Sequence, residues 1–179
     1  MPASDPFRIG FAPGVTPDKW ARTWADRHPR DPLDLVPLDD RDGVAMLHAG
    51  ELSMCFLRLP VDREGLHLIP LYDEQPVVVA SREHPVAAYD TIDVAELADD
   101  TFLEGPARAT IGSAAAGAGL VLVPMSVARL HHRRDVVHVP VTGVDTTTVG
   151  LGWRVGDEDD RVQAFVGVVR GRTANSSRR

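Results

Sequence analysis

The stretch SAAAGAGLVLVPMSVA, residues 113–128, reads as the end of a small-residue helix, a glycine break, a strand, and a proline-led start into another helix. Gly117 and Gly119 can take the positive φ that closes a helix. Leu120, Val121, Leu122 and Val123 form a continuous apolar run, which predicts a strand covered on both faces. Pro124 ends that strand, and Ser126 is the predicted N-cap of the helix that follows. A nucleotide-binding glycine loop follows a strand and opens a helix. Here the strand follows the glycines, so the order is reversed and the glycines are read as a helix stop.

The same grammar extends in both directions. FRIGFA (7–12) predicts a short buried strand. Thr16-Pro17-Asp18 then supplies an N-cap, a proline for the first helical position and an acid for the first turn. Trp20 and Trp24 lie on one face of that helix at i, i+4, and His28-Pro29 closes it. Residues 33–38 predict a second strand, broken by DDRDG. Val44, Leu47 and Glu51 share a helix face, Gly50 stops the helix, and residues 52–57 return as a third strand. Further strands are expected at 66–71, 76–80, 136–141 and 149–155. Val162, Phe165, Val166 and Val169 follow i, i+3, i+4, i+7, the stripe of an amphipathic final helix. RGRTANSSRR then forms a polar, basic tail. Strand and helix alternating at this spacing imply an α/β fold of parallel βαβ units.

Bulk composition bounds the class. The 179 residues are enough for one compact domain or two small lobes, and 44% hydrophobic with 25% charged residues is ordinary for a soluble protein. No apolar run approaches the ~20 residues that span a bilayer, and MPASDPFRIG has no basic and apolar segments of a signal peptide. Cys55 is the single cysteine, which excludes an internal disulfide and suits a reducing cytoplasm. It stands in an apolar run and is read as an inert buried thiol. The net charge of −7 argues against direct DNA binding, since phosphates demand a basic surface. Arginine supplies every basic side chain except Lys19, a bias that fits a GC-rich bacterial genome.

Taken together, FRIGFAP (7–13), HAGELSMCF (48–56), LYDEQPVVVASREHPV (71–86) and AAGAGLVLVP (115–124) resemble the effector-binding domain of LysR-type transcriptional regulators. The resemblance runs over roughly residues 7–170. It implies a fold like the type 2 periplasmic binding proteins, with two lobes built on mainly parallel sheets. Lobe I is expected at 7–81 and 144–172, lobe II at 82–143, and a disordered basic tail at 173–179. Between Leu103 and Ala107 only Glu104, Gly105 and Pro106 intervene, where the family places a strand–helix–strand segment. Lobe II is therefore expected to be reduced. The family also begins with a winged helix-turn-helix, whereas this sequence reaches its first strand at Phe7. The expectation is a free-standing effector domain.

In such a sheet, ligands bind at strand C-termini and helix N-termini, where free amides and the helix dipole attract anions. Gly14 and Thr16, Asp39 and Asp40, Arg58, and Met125 with Ser126 occupy those places. The family's effectors are mostly small carboxylates, which the resemblance implies would be held by amides and hydroxyls there. Where the family offers a hydroxyl, this chain has Asp40 beside Asp39. Two carboxylates would repel a carboxylate ligand and favour a cation, amine or polyol. The alternative is that both acids serve as cap and first-turn residues of the next helix. Arg58 likewise has two roles open to it, pairing with an anionic ligand or bridging to Asp39 or Asp40.

RLHHRR (129–134) has adjacent histidines, which point to different helix faces and cannot ligate as an i, i+4 pair would. Its cations complement the C-terminal dipole of a helix. No Ser-His-Asp order, paired-carboxylate motif or metal spacing stands out, so neither catalysis nor a metal or cofactor is expected. The expected partners are a small-molecule effector, a second copy of the chain and a DNA-binding regulator, with no membrane. The resemblance implies antiparallel pairing of the 16–28 helix with the 107–117 helix of a second copy, Trp20 and Trp24 lying in the interface. The competing outcome is that both tryptophans pack inside one subunit. Two other functions stay open: an interaction module that has lost ligand binding, and a small enzyme on the same fold.

Overall fold

A computed structural model describes residues 6–171, which divide into two compact units, 6–71 with 149–171 and 72–148. The first carries a five-stranded sheet in the order β2-β1-β3-β9-β4. These strands are β1 (Phe7–Phe11), β2 (Leu33–Pro37), β3 (Met54–Leu59), β4 (Leu66–Glu74) and β9 (Thr147–Arg154). β1 runs parallel to both neighbours, with Ile9 opposite Leu35 on one side and Met54 on the other. Helices α1 (Asp18–Arg27) and α2 (Gly43–His48) make the crossovers, and α5 (Asp160–Val169) closes the unit.

Side-chain alternation sorts this unit into two cores. Phe7, Ile9, Met54, Phe56 and Leu151 pack with Trp20 and Trp24 of α1 and with Val162 and Phe165 of α5. Leu52, Cys55 and Leu57 pack with Leu47 of α2. At Gly10 the second core comes so close that a Cβ would stand 2.6 Å from Leu38 Cδ1 and 2.7 Å from Leu52 Cδ1. A side chain there would have to displace the ends of both leucines.

Trp20 and Trp24 belong to this core rather than to a partner surface. The Trp24 ring is 1% exposed, stacks on Phe7 at 5.1 Å, and donates its indole N–H to the Asp31 carbonyl at 2.7 Å. Trp20 is 9% exposed and stacks on Phe56 at 4.9 Å. The physical reason is the width of the apolar strip: the two rings are the only large side chains α1 offers the sheet. α1 also starts later than its sequence suggests, with Pro17 at the cap position (φ −78°) and no side-chain cap from Thr16.

Asp159 caps α5. Its carboxylate accepts the Arg161 backbone N–H at 2.9 Å and the Arg161 guanidinium at 2.7 Å. Arg161 holds the carboxyl below its ordinary range, outweighing partial burial, which acts the other way. Asp159→Ala should cost about 1 kcal/mol. Because the folded pKa is depressed, that contribution is present above the unfolded value of about 3.9 and is lost as pH falls through the folded value. Melting of wild type and variant should therefore converge below about pH 4. A gap that stays constant on acidification would contradict this.

The second unit holds β5 (Pro76–Ser81), β6 (Ile92–Asp93), β7 (Val121–Pro124) and β8 (Val136–Thr142) in the order β6-β8-β5-β7. β5 is buried along five of its residues and lies between β8 and β7, so it belongs here. The chain thus passes between units at residues 71 and 148, not near 81 and 143 as the sequence suggests. The sheet is mixed rather than mainly parallel: β5 is antiparallel to β7 and β8, and only β6 and β8 run parallel. Only Gln75 separates β4 from β5, so no crossover helix sets the direction of β5.

Val77, Val79 and Val121 pack on one face of this sheet under α3 (Ala107–Ala115) and α4 (Met125–Leu130). Val78, Ala80, Leu120 and Val139 pack on the other, under the 3-10 turns at Pro85–Ala88 and Val94–Leu97. The glycine break after α3 is confirmed, with Gly117 at φ 81° and Gly119 at φ 156°. The strand beyond it is not covered throughout. β7 is an edge strand, and Leu122 is 41% exposed. The expected tail at 173–179 lies outside the described residues.

Candidate functional site

In the first unit, three loops at the C-terminal ends of parallel strands meet at Arg58. The apolar run of β3 ends with this residue, beside the cis Leu59–Pro60 peptide. The Arg58 side chain is only 10% exposed. It donates to the Asp40 carboxylate at 2.7 Å and to the Pro13 carbonyl at 2.9 Å. One guanidinium therefore ties the loop after β1 and the loop after β2 to the end of β3. Its planar fork of five donors suits it to such a junction.

The other predicted residues of this ledge fall around it. Gly14 turns the β1–α1 loop at φ 81°, letting the Val15 N–H reach the Ala12 carbonyl at 3.1 Å. Thr16 is exposed at the mouth of α1. Asp39 and Asp40 are not cap residues, because α2 starts at Gly43 with Asp42 in the cap position. They stay in the loop, Asp39 exposed and the Asp40 side chain 51% exposed. Of the two roles open to Arg58, the structure shows the bridge to Asp40. With Asp39 and Asp42 alongside and only Arg41 added, the loop remains acidic.

Met125 and Ser126 lie in the second unit. Pro124 holds the cap position of α4 without a side-chain cap, so Ser126 is the second helical residue rather than the N-cap. The Met125 N–H donates to the Gln75 carbonyl at 2.8 Å. The Ser126 hydroxyl donates to the carboxylate of Glu74, which also accepts from Thr147 at 3.3 Å. Glu74 is 6% exposed. Hydroxyl donors are what a buried carboxylate needs to remain buried. Since the single Ser126 proton is used on Glu74, its oxygen offers a ligand only lone pairs. Glu74 and Thr147 carry no sequence signal that separates them from adjacent Asp73 and Thr148, which bond each other at 2.6 Å. Strand alternation alone places one pair inward and the other outward.

Other features stay structural. Cys55 is 1% exposed, and burial pushes its thiol up to about 12. Among the described residues no group of three or more His, Cys, Asp or Glu side chains comes together as a metal site would require. None of the described helices is long and apolar enough to cross a membrane. A shallow groove of the second unit, lined by Ser81, Arg82, His84, Gly117 and Asp135 among others, includes none of the predicted ligand residues.

Comparison with known proteins agrees with this architecture. The family described as LysR substrate binding domain matches residues 2–111, more than half of the chain, and the chain belongs to it. The transcriptional regulator CatR of Pseudomonas putida is 27% identical over 87% of the chain and 64% of its own length. The DNA-binding dual regulator OxyR of Escherichia coli is 25% identical over 86% of the chain and 61% of its own length. Two Escherichia coli sequences described as hydrogen peroxide-inducible genes activator match to the same extent. The chain thus spans under two thirds of the length of these relatives. Among solved structures, the BenM effector binding domain with its effector benzoate is 18% identical with a TM-score of 0.78, covering 92% of this chain and 90% of that one. The reduced OxyR regulatory domain from Pseudomonas aeruginosa is 21% identical with a TM-score of 0.72, covering 92% and 94%. At these identities the structures show the fold.

Proposed function

We propose that this member of the LysR substrate binding domain family is a non-enzymatic sensor of a small molecule, acting in transcriptional regulation together with a DNA-binding regulator. The observation that carries the proposal is the Arg58 junction. A guanidinium nine-tenths buried, held by Asp40 and the Pro13 carbonyl, organises three loops at the end of the sheet where α/β proteins receive ligands. A ligand that reaches Arg58 or Asp40 engages loops fixed to one another by the same side chains.

The chemistry of the ledge favours an effector rich in hydrogen-bond donors. BenM is solved with benzoate, a carboxylate. Here Asp39, Asp40 and Asp42 surround the junction, so a simple carboxylate would meet like charge and a polyol or amine would meet acceptors. A thiol-based peroxide response is disfavoured for this chain. Such a response requires an accessible thiolate, and Cys55 is buried with its pKa raised.

A thermal-shift screen of polyols, amines and carboxylates tests the proposal, since a ligand that binds the native state raises its stability by mass action. A 100-fold excess of ligand over its Kd should add about 2.7 kcal/mol. Arg58→Ala should abolish that shift and, by freeing Asp40 and the Pro13 carbonyl, lower unliganded stability by about 1–3 kcal/mol. An unchanged ligand response in the variant would remove Arg58 from the site.

A second function, a protein-interaction module, is favoured by one feature of the second unit. Glu104-Gly105-Pro106 turns the chain away from the sheet directly after Leu103, and the sheet edge beyond is exposed.

A further inference from the structure

We infer that the corner between α4 and β8 docks an acidic segment of a partner protein, with Leu130 as the apolar anchor and Arg129 and Arg134 as the charge contacts. The chain carries 26 Asp and Glu residues, yet none occurs from Gly105 to Arg134. That stretch holds Arg108, Arg129, Arg133 and Arg134, three of them in RLHHRR. The C-terminal dipole of α4 accounts for Arg129 alone, which stands in the last turn; Arg133 and Arg134 follow the His131 cap. Pairing accounts for Arg133, which grips both oxygens of Asp135 at 2.8 and 2.7 Å. Arg129 and Arg134 are exposed and make no side-chain hydrogen bond or ion pair among the described residues.

The backbone presents these groups together. The His132 N–H donates to the Arg129 carbonyl at 3.2 Å, so the chain turns tightly with Leu130 inside the turn segment. Leu130 is 56% exposed, more than any other leucine among the described residues. Ser81 pairs with Val136 and Pro76 with Pro124, so α4 leaves one end of the sheet and its corner returns at the other. The corner is therefore at the end of the sheet away from Gln75, where the chain enters the unit. The Arg82 N–H bonds the Asp135 carbonyl at 3.1 Å, which brings Arg82 and Glu83 alongside and adds one charge of each sign. Arginines around an apolar anchor are the groups that concentrate binding energy in interfaces.

Charge and the leucine select the occupant. A nucleic acid backbone would satisfy the guanidinium groups but set phosphates against Leu130, Glu83 and Asp135. A second copy placed corner to corner would oppose arginine with arginine. Placed with an acidic loop on the corner, it would make a head-to-tail contact that does not close on itself. A short segment with apolar residues between Asp or Glu meets Leu130 with the former and Arg129 and Arg134 with the latter, and each guanidinium can take a carboxylate bidentately.

Labelled hexapeptides test this by fluorescence anisotropy against the full chain in about 50 mM salt, where exposed charges are weakly screened. Glu-Asp-Leu-Leu-Asp-Glu should bind with a Kd of about 100 µM, and its amide counterpart Gln-Asn-Leu-Leu-Asn-Gln at least about ten-fold more weakly. Leu130→Ser should weaken the acidic peptide about ten-fold. The double variant Arg129→Glu with Arg134→Glu should lose the acidic peptide and gain Lys-Lys-Leu-Leu-Lys-Lys. Arg108→Glu, in the same acid-free stretch but outside the corner, should leave the affinity within about two-fold. Thermal melts establish that the variants are folded. Equal binding of the amide peptide, or no binding at about 1 mM, overturns the proposal. So does a DNA duplex that binds more tightly than the acidic peptide and is lost in the double variant. Sedimentation showing a wild-type oligomer that the double variant dissolves also overturns it, because the corner would then belong to a second copy.

Discussion

Trp24→Ala should lower unfolding free energy by about 3–5 kcal/mol, the range for emptying a core aromatic site. Marginal stabilities of about 5–15 kcal/mol make that a large part of the total. Trp24 is the largest of the fully buried side chains. Its ring stacks on Phe7 at 5.1 Å and His28 at 4.0 Å, leans on Phe165 at 5.8 Å, and closes the turn after α1 through Asp31. Truncation removes all of these contacts and leaves a void walled by strand β1 and helix α5, neither of which can collapse without losing its own packing. Trp24→Phe keeps the stack but not the Asp31 bond, and should cost about 1–2 kcal/mol. Urea denaturation compares the three proteins. An alanine variant as stable as wild type, but no longer self-associating, would return Trp24 to the surface role that its helix position suggests.

Gly119→Ala should cost about 3 kcal/mol, because it combines a left-handed backbone with a collision that cannot relax. A Cβ at Gly119 would stand 2.5 Å from the Thr101 carbonyl oxygen, the atom that accepts the Leu120 N–H. Moving either side breaks the bridge between residues 101–103 and β7. Gly117 provides the internal comparison: its φ is +81°, yet a Cβ there meets nothing within 4 Å. Gly117→Ala should therefore cost only the conformational part, about 1–2 kcal/mol. Melting of the two variants separates backbone preference from close approach, and equal costs would mean that the Thr101 contact is not limiting. Hydrogen exchange should locate the larger loss at Leu103 and Leu120.

The order and type of the elements other than β6 and the two 3-10 turns, the glycine break at Gly117 and Gly119, the inert Cys55 and the places where loops leave strand ends were determined by the sequence alone. Each depends on a few consecutive residues: on a period of two or 3.6, on which residues tolerate positive φ, or on an unbroken apolar run. The family pattern was legible for the same reason, since it is a string of such local signals in a set order. Tertiary structure decided the rest. That β5 lies between β7 and β8, in the second unit, follows from strand pairing across more than 40 residues of chain. Arg58 meets Asp40 across 18 residues, and Glu74 meets Ser126 across 52 and Thr147 across 73. The spacing of Trp20 and Trp24 shows that they share a face, but whether that face meets a sheet or a partner depends on where the sheet is. A hydrogen bond or a buried ring is chosen by what the folded chain brings within a few ångströms, and local preferences carry no record of that distance.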